Sequence, residues 1–148
     1  MTLATQAHVH AAIDGMRDDE RAQLWAGFRW TPAEAVWRCV EESAQTWAAI
    51  VDGEVMAVFG VVPHSTLLRI GIPWLATTAA VERHPKTFYR LCRAILPGFR
   101  EKWPTLIGAI SQRHERSLAW ARHLGFDIGE PIPTGPDGAP FHRVELRS

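Results

Sequence analysis

Trp47-Ala48-Ala49-Ile50-Val51-Asp52-Gly53-Glu54-Val55-Met56-Ala57-Val58-Phe59-Gly60-Val61-Val62 is the stretch whose reading decides the fold. Two apolar runs, Trp47 to Val51 and Val55 to Val62, flank Asp52-Gly53. Glycine tolerates positive φ, so the dipeptide predicts a tight hairpin turn. Neither run alternates polar with apolar side chains. Strands that are apolar on both faces need cover on both sides, which helices normally supply. The expected fold class is therefore α/β (α+β), a central sheet with helices on both faces.

Working outward, the chain before this stretch reads as helix. Asp18 predicts a cap for a short helix running to Phe28. Thr31-Pro32-Ala33-Glu34 reads as a capping box with Pro at the first helical position. Val36, Trp37 and Val40 give that helix an apolar face. After the hairpin, Gly71 to Ala79 predicts a third strand, in which Pro73 marks an edge, an end or a bulge. Lys86 to Trp103 carries Phe88, Leu91, Cys92, Ile95, Leu96 and Phe99 at helical spacing. Within it Pro97-Gly98 predicts a kink or a split, and Pro104 the end. Thr105 to Ile110 reads as a strand and Glu115 to Leu124 as a helix, with Gly125 as its left-handed stop. Strand, helix, strand, helix predicts a crossover with parallel neighbouring strands, so the sheet is mixed. Asp127 to Ile132 and Phe141 to Leu146 predict a closing hairpin around a long loop of turn formers.

Composition bounds the function classes. A chain of 148 residues, 47% apolar and 22% charged, predicts one domain over residues 1–148. Net charge is zero and no basic run occurs, which argues against a dedicated nucleic-acid binder. The longest apolar stretch, Val55 to Pro63, is too short to span a bilayer. Its N-terminal stretch has no cationic, apolar leader pattern, so a cytoplasmic protein without membrane contact is expected. Cys39 and Cys92 lie in apolar helical patterns and read as free thiols of a reducing compartment. His8 and His10 are too few for a zinc site, and no metal is expected. Seven Trp read mainly as core.

The order of elements, and the ending His114-Glu115-Arg116-Ser117-Leu118-Ala119-Trp120-Ala121-Arg122-His123-Leu124-Gly125-Phe126, resemble the GNAT superfamily of N-acetyltransferases. Leu124-Gly125-Phe126 matches the family's closing Leu-Gly-Phe. A closer resemblance is to GNAT-like proteins of tailed phages and prophages, some of them internal virion proteins. Met16-Arg17 before an acidic helix start, Val58 to Val61, Pro73-Trp74-Leu75, Trp120, and Pro133 to Phe141 carry it.

The resemblance implies acetyl-CoA as cofactor and an amine as acceptor. It implies that the backbone of Leu75, Ala76 and Thr77 pairs with the pantetheine arm, and that the next helix meets the pyrophosphate. The family's glycine-rich phosphate loop is absent, since no glycine lies between Gly71 and Gly98. Arg83, Lys86 and Thr87 are then the candidate phosphate-binding side chains. His114 stands where the family has a hydrogen-bonding Asn, and Ala121 where it has a proton-donating Tyr. Glu82 and His84 are the titratable residues nearest in sequence, and so the candidate general bases. Two other readings compete. One is a catalytically inactive phage assembly or internal virion protein on the same scaffold. The other is a host-protein binder using an exposed aromatic such as Trp30.

Overall fold

In a computed structural model of the chain, describing residues 1–147, Asp52 and Gly53 turn at φ 51 and 75. Two consecutive positive φ values give the turn whose twist matches a hairpin. It joins β2 (Thr46–Val51) to β3 (Glu54–Ser65), the antiparallel pair expected. The sheet also holds β1 (Thr2–Leu3), β4 (Ile70–Thr77), β5 (Thr105–Ser111), β6 (Asp127–Thr134) and β7 (Ala139–Leu146). Their spatial order is β1-β2-β3-β4-β5-β7-β6. Among the described residues only β4 and β5 are parallel, at the crossover.

Helices cover both faces, as the uniformly apolar strands require. On one face α1 (Gln6–Asp14) and α3 (Pro32–Glu42) set Val9, Ala12 and Val36 against Ala48, Val58 and Ala76. On the other, α5 (Pro85–Lys102) sets Phe88 and Cys92 against Ala49, Ala57 and Phe59. Beside it α6 (Glu115–His123) packs Leu118 and Ala121 on Leu106, Ile110 and Val144. Burying a side chain such as Phe59 contributes about 1.5–3 kcal/mol. Two further helices, α2 (Asp18–Phe28) and the single turn α4 (Ala80–Arg83), lie near the ends of β4 and β5. Among the described residues no helix is long and apolar enough to cross a membrane.

Several expectations need correction. β1 was not foreseen, and α1 lies in the stretch read as helix without having been marked off as an element of its own. The α1 cap is a reciprocal box in which Thr5 Oγ1 accepts from His8 N at 3.2 Å and His8 Nδ1 accepts from Thr5 N at 3.0 Å. His8 is thus a cap, and His10 packs edge-on against Trp37. Asp18 is the first helical residue of α2, not its cap; Arg17 holds the cap position without a side-chain bond. The acids Asp18, Asp19 and Glu20 instead complement the positive end of the helix. Pro97 does not split α5, which runs unbroken for 18 residues. Pro97 and Arg93 are both exposed, so the hydrogen bond that the proline cannot make is lost on the solvent side of the helix. The closing loop is short, only Gly135 to Gly138, because β6 and β7 extend to Thr134 and Ala139. Of the tryptophans Trp103 is buried, whereas Trp25 is 53% exposed.

Candidate active site

β4 and β5 touch only at their beginnings. Ile70 pairs with Thr105 and Gly71 with Leu106; beyond that the strands part, one running to Thr77 and the other to Ser111. Gly71 makes the last contact feasible, because a Cβ there would lie 2.5 Å from Val61 Cγ1 and 2.9 Å from Trp103 Cγ. Thr78 N donates to Met56 O on the β3 side. Antiparallel alternation then turns the backbones of Pro73, Leu75 and Thr77 toward the gap. The missing N–H of Pro73 therefore falls on an open edge, which is the reason a proline sits there.

The start of α2 lies across the mouth of this gap and ties its two sides together. On the β4 side, Thr77 donates to Glu20 twice, from Oγ1 to Oε1 at 2.5 Å and from N to Oε2 at 3.3 Å. Arg17 Nε donates to Thr77 Oγ1 at 3.2 Å. On the β5 side, Ser111 N donates to Gln23 Oε1 at 2.9 Å. Arg21 donates to the carbonyls of Met16 and Ile13, which fixes the α1–α2 connection. Burial pushes the Glu20 carboxyl above its ordinary value of 4.5, against the Thr77 hydroxyl and Arg17, which pull it down.

Next to Glu20, Asp19 reaches His114, which precedes α6. His114 Nε2 lies 2.9 Å from Asp19 Oδ2, but its N–H points off the line between them. Nδ1 has no partner among the described residues, although the residue is only 6% exposed. Burial alone would raise the Asp19 carboxyl; the close approach and charge of His114, then Arg17, bring it below its ordinary value.

The structure divides the sequence-predicted residues into two groups. Thr77, Glu82 and His114 gather at the mouth. Glu82 is half exposed between Arg17 Nη1 at 3.7 Å and Arg116 Nη1 at 3.6 Å. Leu75 turns its peptide to the gap, while Ala76 bonds back to β3 and is buried in the core. Arg83 and His84 go elsewhere, toward the β2–β3 turn. Arg83 is bound by Glu54, and His84 Nε2 lies 3.7 Å from Asp52 Oδ2. Lys86 and Thr87 are exposed in the first turn of α5. Asp19, Glu20 and Gln23 were missed. Their one signal was the acidic start after Met16-Arg17, which reads equally as a solvated helix end.

Between α5 and α6 the interval is aromatic. Phe88 stacks on Trp120 with ring centroids 6.2 Å apart, and Tyr89 Oη donates to His123 O at 3.2 Å. Two cavities lie along α5, away from the mouth. One of about 420 Å³ is bordered by Arg93, Arg100 and His123, the other of about 490 Å³ by Trp47, Leu91 and Phe99. Among the described residues no group of three His, Cys, Asp or Glu is placed to hold a metal ion.

No protein-family model and no curated protein matches the chain. Solved structures do. A ribosomal-protein-alanine N-acetyltransferase from Brucella melitensis superimposes with a TM-score of 0.75 at 16% identity, covering 99% of this chain and 98% of that one. The RimL alpha-N-protein acetyltransferase in complex with coenzyme A gives 0.74 at 11% identity, covering 99% and 92%. Spermidine N-acetyltransferase from Vibrio cholerae, in complex with CoA and spermine, gives 0.71 at 8%, covering 97% and 92%. At these identities the likeness is one of fold: the chain has the α/β fold of the GNAT acetyltransferases.

Proposed function

We propose that the chain is an acyl-CoA-dependent N-acyltransferase, a single domain over residues 1–148 of the type carried by tailed phages, with an amine as acceptor. The observation that carries this reading is the parting of β4 from β5 with the buried carboxylate of Glu20 at its mouth. A peptide such as that of Leu75, turned to an open strand edge, suits the amides of a pantetheine arm. Lys86 and Thr87, at the start of α5, are free to meet phosphate. Arg83 joins them only after release from Glu54.

Acetyl-CoA supplies an acyl group activated as a thioester. The rest falls to the chain's own residues. Glu20 accepts the proton of the amine, a task its raised carboxyl suits better than an ordinary one. Glu82, between Arg17 and Arg116, borders the acceptor's approach. In this reading Glu20 takes the role of base that proximity in sequence suggested for Glu82 and His84.

Calorimetry and thermal melting with CoA and acetyl-CoA test the reading. A ligand at a hundred times its Kd adds about 2.7 kcal/mol of stability, so saturating CoA raises Tm measurably. Absence of both heat and shift at millimolar ligand removes acyl transfer from consideration.

A second reading is favoured by one observation. The Phe88–Trp120 stack occupies the interval between α5 and α6, and acids hold Arg83 and His84. It is a non-catalytic docking module of phage assembly or of host binding, residing in the host cytoplasm or the virion. Recovery of the protein in purified virions, with no CoA response, supports it.

A further inference from the structure

A buried ring nitrogen without a partner is costly, and such a group calls for an explanation. His114 is one: neither ring nitrogen makes an aligned hydrogen bond among the described residues, although Nε2 lies 2.9 Å from Asp19 Oδ2 and Nδ1 has no polar group against it. Its backbone is fixed, since His114 N donates to Ser111 O at 2.9 Å, directly beyond β5. An imidazole with a carboxylate against one nitrogen and no partner on the other is arranged for proton transfer. The same turn of α2 presents Asp19 to His114 and Glu20 to Thr77, so two protonatable groups flank one gap.

We propose that His114 is the proton donor to the departing thiolate, acting from Nδ1, with Asp19 as the positioning residue on Nε2. The proposal rests on the acyl-transfer reading above and deepens it. In the step, the bond from the amine nitrogen to the acyl carbon forms. The acyl carbon–sulfur bond breaks, and its electron pair goes to sulfur. Glu20 takes the proton lost by the amine, and imidazolium Nδ1–H gives one to sulfur. One proton passing from Glu20 through solvent to His114 restores the start. An alkyl thiol has a pKa near about 8.5, so its departure near neutrality gains from a proton donor. An aryl thiol, more acidic, needs none.

The test labels the histidines with ¹⁵N and titrates the wild-type protein with CoA and with desulfo-CoA, beside calorimetry. CoA is expected to shift the Nδ1 resonance of His114 and desulfo-CoA to leave it unmoved; Asp19→Asn is expected to abolish the preference for the Nε2–H tautomer. In acyl transfer to methylamine, His114→Asn is expected to lower kcat about 100-fold with acetyl-CoA, leave KM for it unchanged, and barely affect an acyl aryl thioester. If His114→Asn does not fold, Asp19→Asn at its part-exposed position carries the same comparison. Equal losses with alkyl and aryl thioesters overturn the proposal. So does an Nδ1 resonance blind to the thiol while calorimetry records CoA binding. No CoA binding at all instead removes the acyl-transfer reading, and this role with it.

Discussion

Glu20 and Thr77, 57 residues apart, are joined by two hydrogen bonds to one carboxylate, which fastens α2 onto the last residue of β4. Burial raises the Glu20 carboxyl, so the folded protein binds this proton more tightly than the unfolded chain does. Its contribution to stability is full below the ordinary value of 4.5 and declines as pH rises through the raised one. Urea titrations from pH 4 to pH 8 should show the wild type losing stability relative to Glu20→Gln as pH increases. Parallel curves would mean that Glu20 titrates as an ordinary carboxyl. If Glu20 is the base, transfer activity rises over the same window and disappears in Glu20→Gln.

Gly71→Ala places a methyl group 2.5 Å from Val61 Cγ1 and 2.9 Å from Trp103, at the last pair before the strands part. Overpacking of this kind costs about 1–3 kcal/mol. Gly108→Ala, whose new carbon would meet Val144 Cγ2 at 3.3 Å, is the milder control. Equal urea midpoints for the two variants would show that the parting tolerates a wider fit.

Arg83 is held by Glu54, at the start of β3, with β4 between it and the gap. Glu54→Gln releases a guanidinium beside the start of α5. CoA affinity at low salt should increase in Glu54→Gln and decrease in Arg83→Ala, and both effects should shrink as salt screens them. An affinity unchanged in both variants would take Arg83 out of phosphate binding.

Both cysteines should be inert in the folded protein. Burial pushes the Cys39 and Cys92 thiols up to about 11, so thiolate is scarce at pH 8. Alkylation by iodoacetamide is expected only in denaturant, followed by mass spectrometry. Rapid labelling of Cys92 under native conditions would reveal opening between α5 and the sheet.

How much of this was legible beforehand depended on the range of the interaction. The runs Trp47 to Val51 and Val55 to Val62 announce strands buried on both faces because every position along each is apolar. Gly125, at φ 97, and Pro73, on the open edge, act through local backbone chemistry and were readable for that reason. The α1 start was not, since its capping box uses His8 where the usual signature has Glu or Gln. Nor was Glu20. A carboxylate in the first turn of a helix looks the same whether it points into water or onto Thr77, and only the folded chain decides. Arg83 looked like a phosphate ligand and His84 like a base until the hairpin turn brought Glu54 and Asp52 beside them.

The placement of β7 between β5 and β6 bears on how the chain can be made. Both of its flanks are paired, with Leu106 to Ser111 on one side and Asp127 to Thr134 on the other. During synthesis β5 and β6 emerge first, each with a row of unanswered peptide groups. They stay so until residues 139–146 have left the ribosome. A nascent chain paused before that point exposes two adhesive edges and is a natural client for a chaperone. A cut removing only those eight residues would therefore cost the sheet two of its seams, not one strand at its margin.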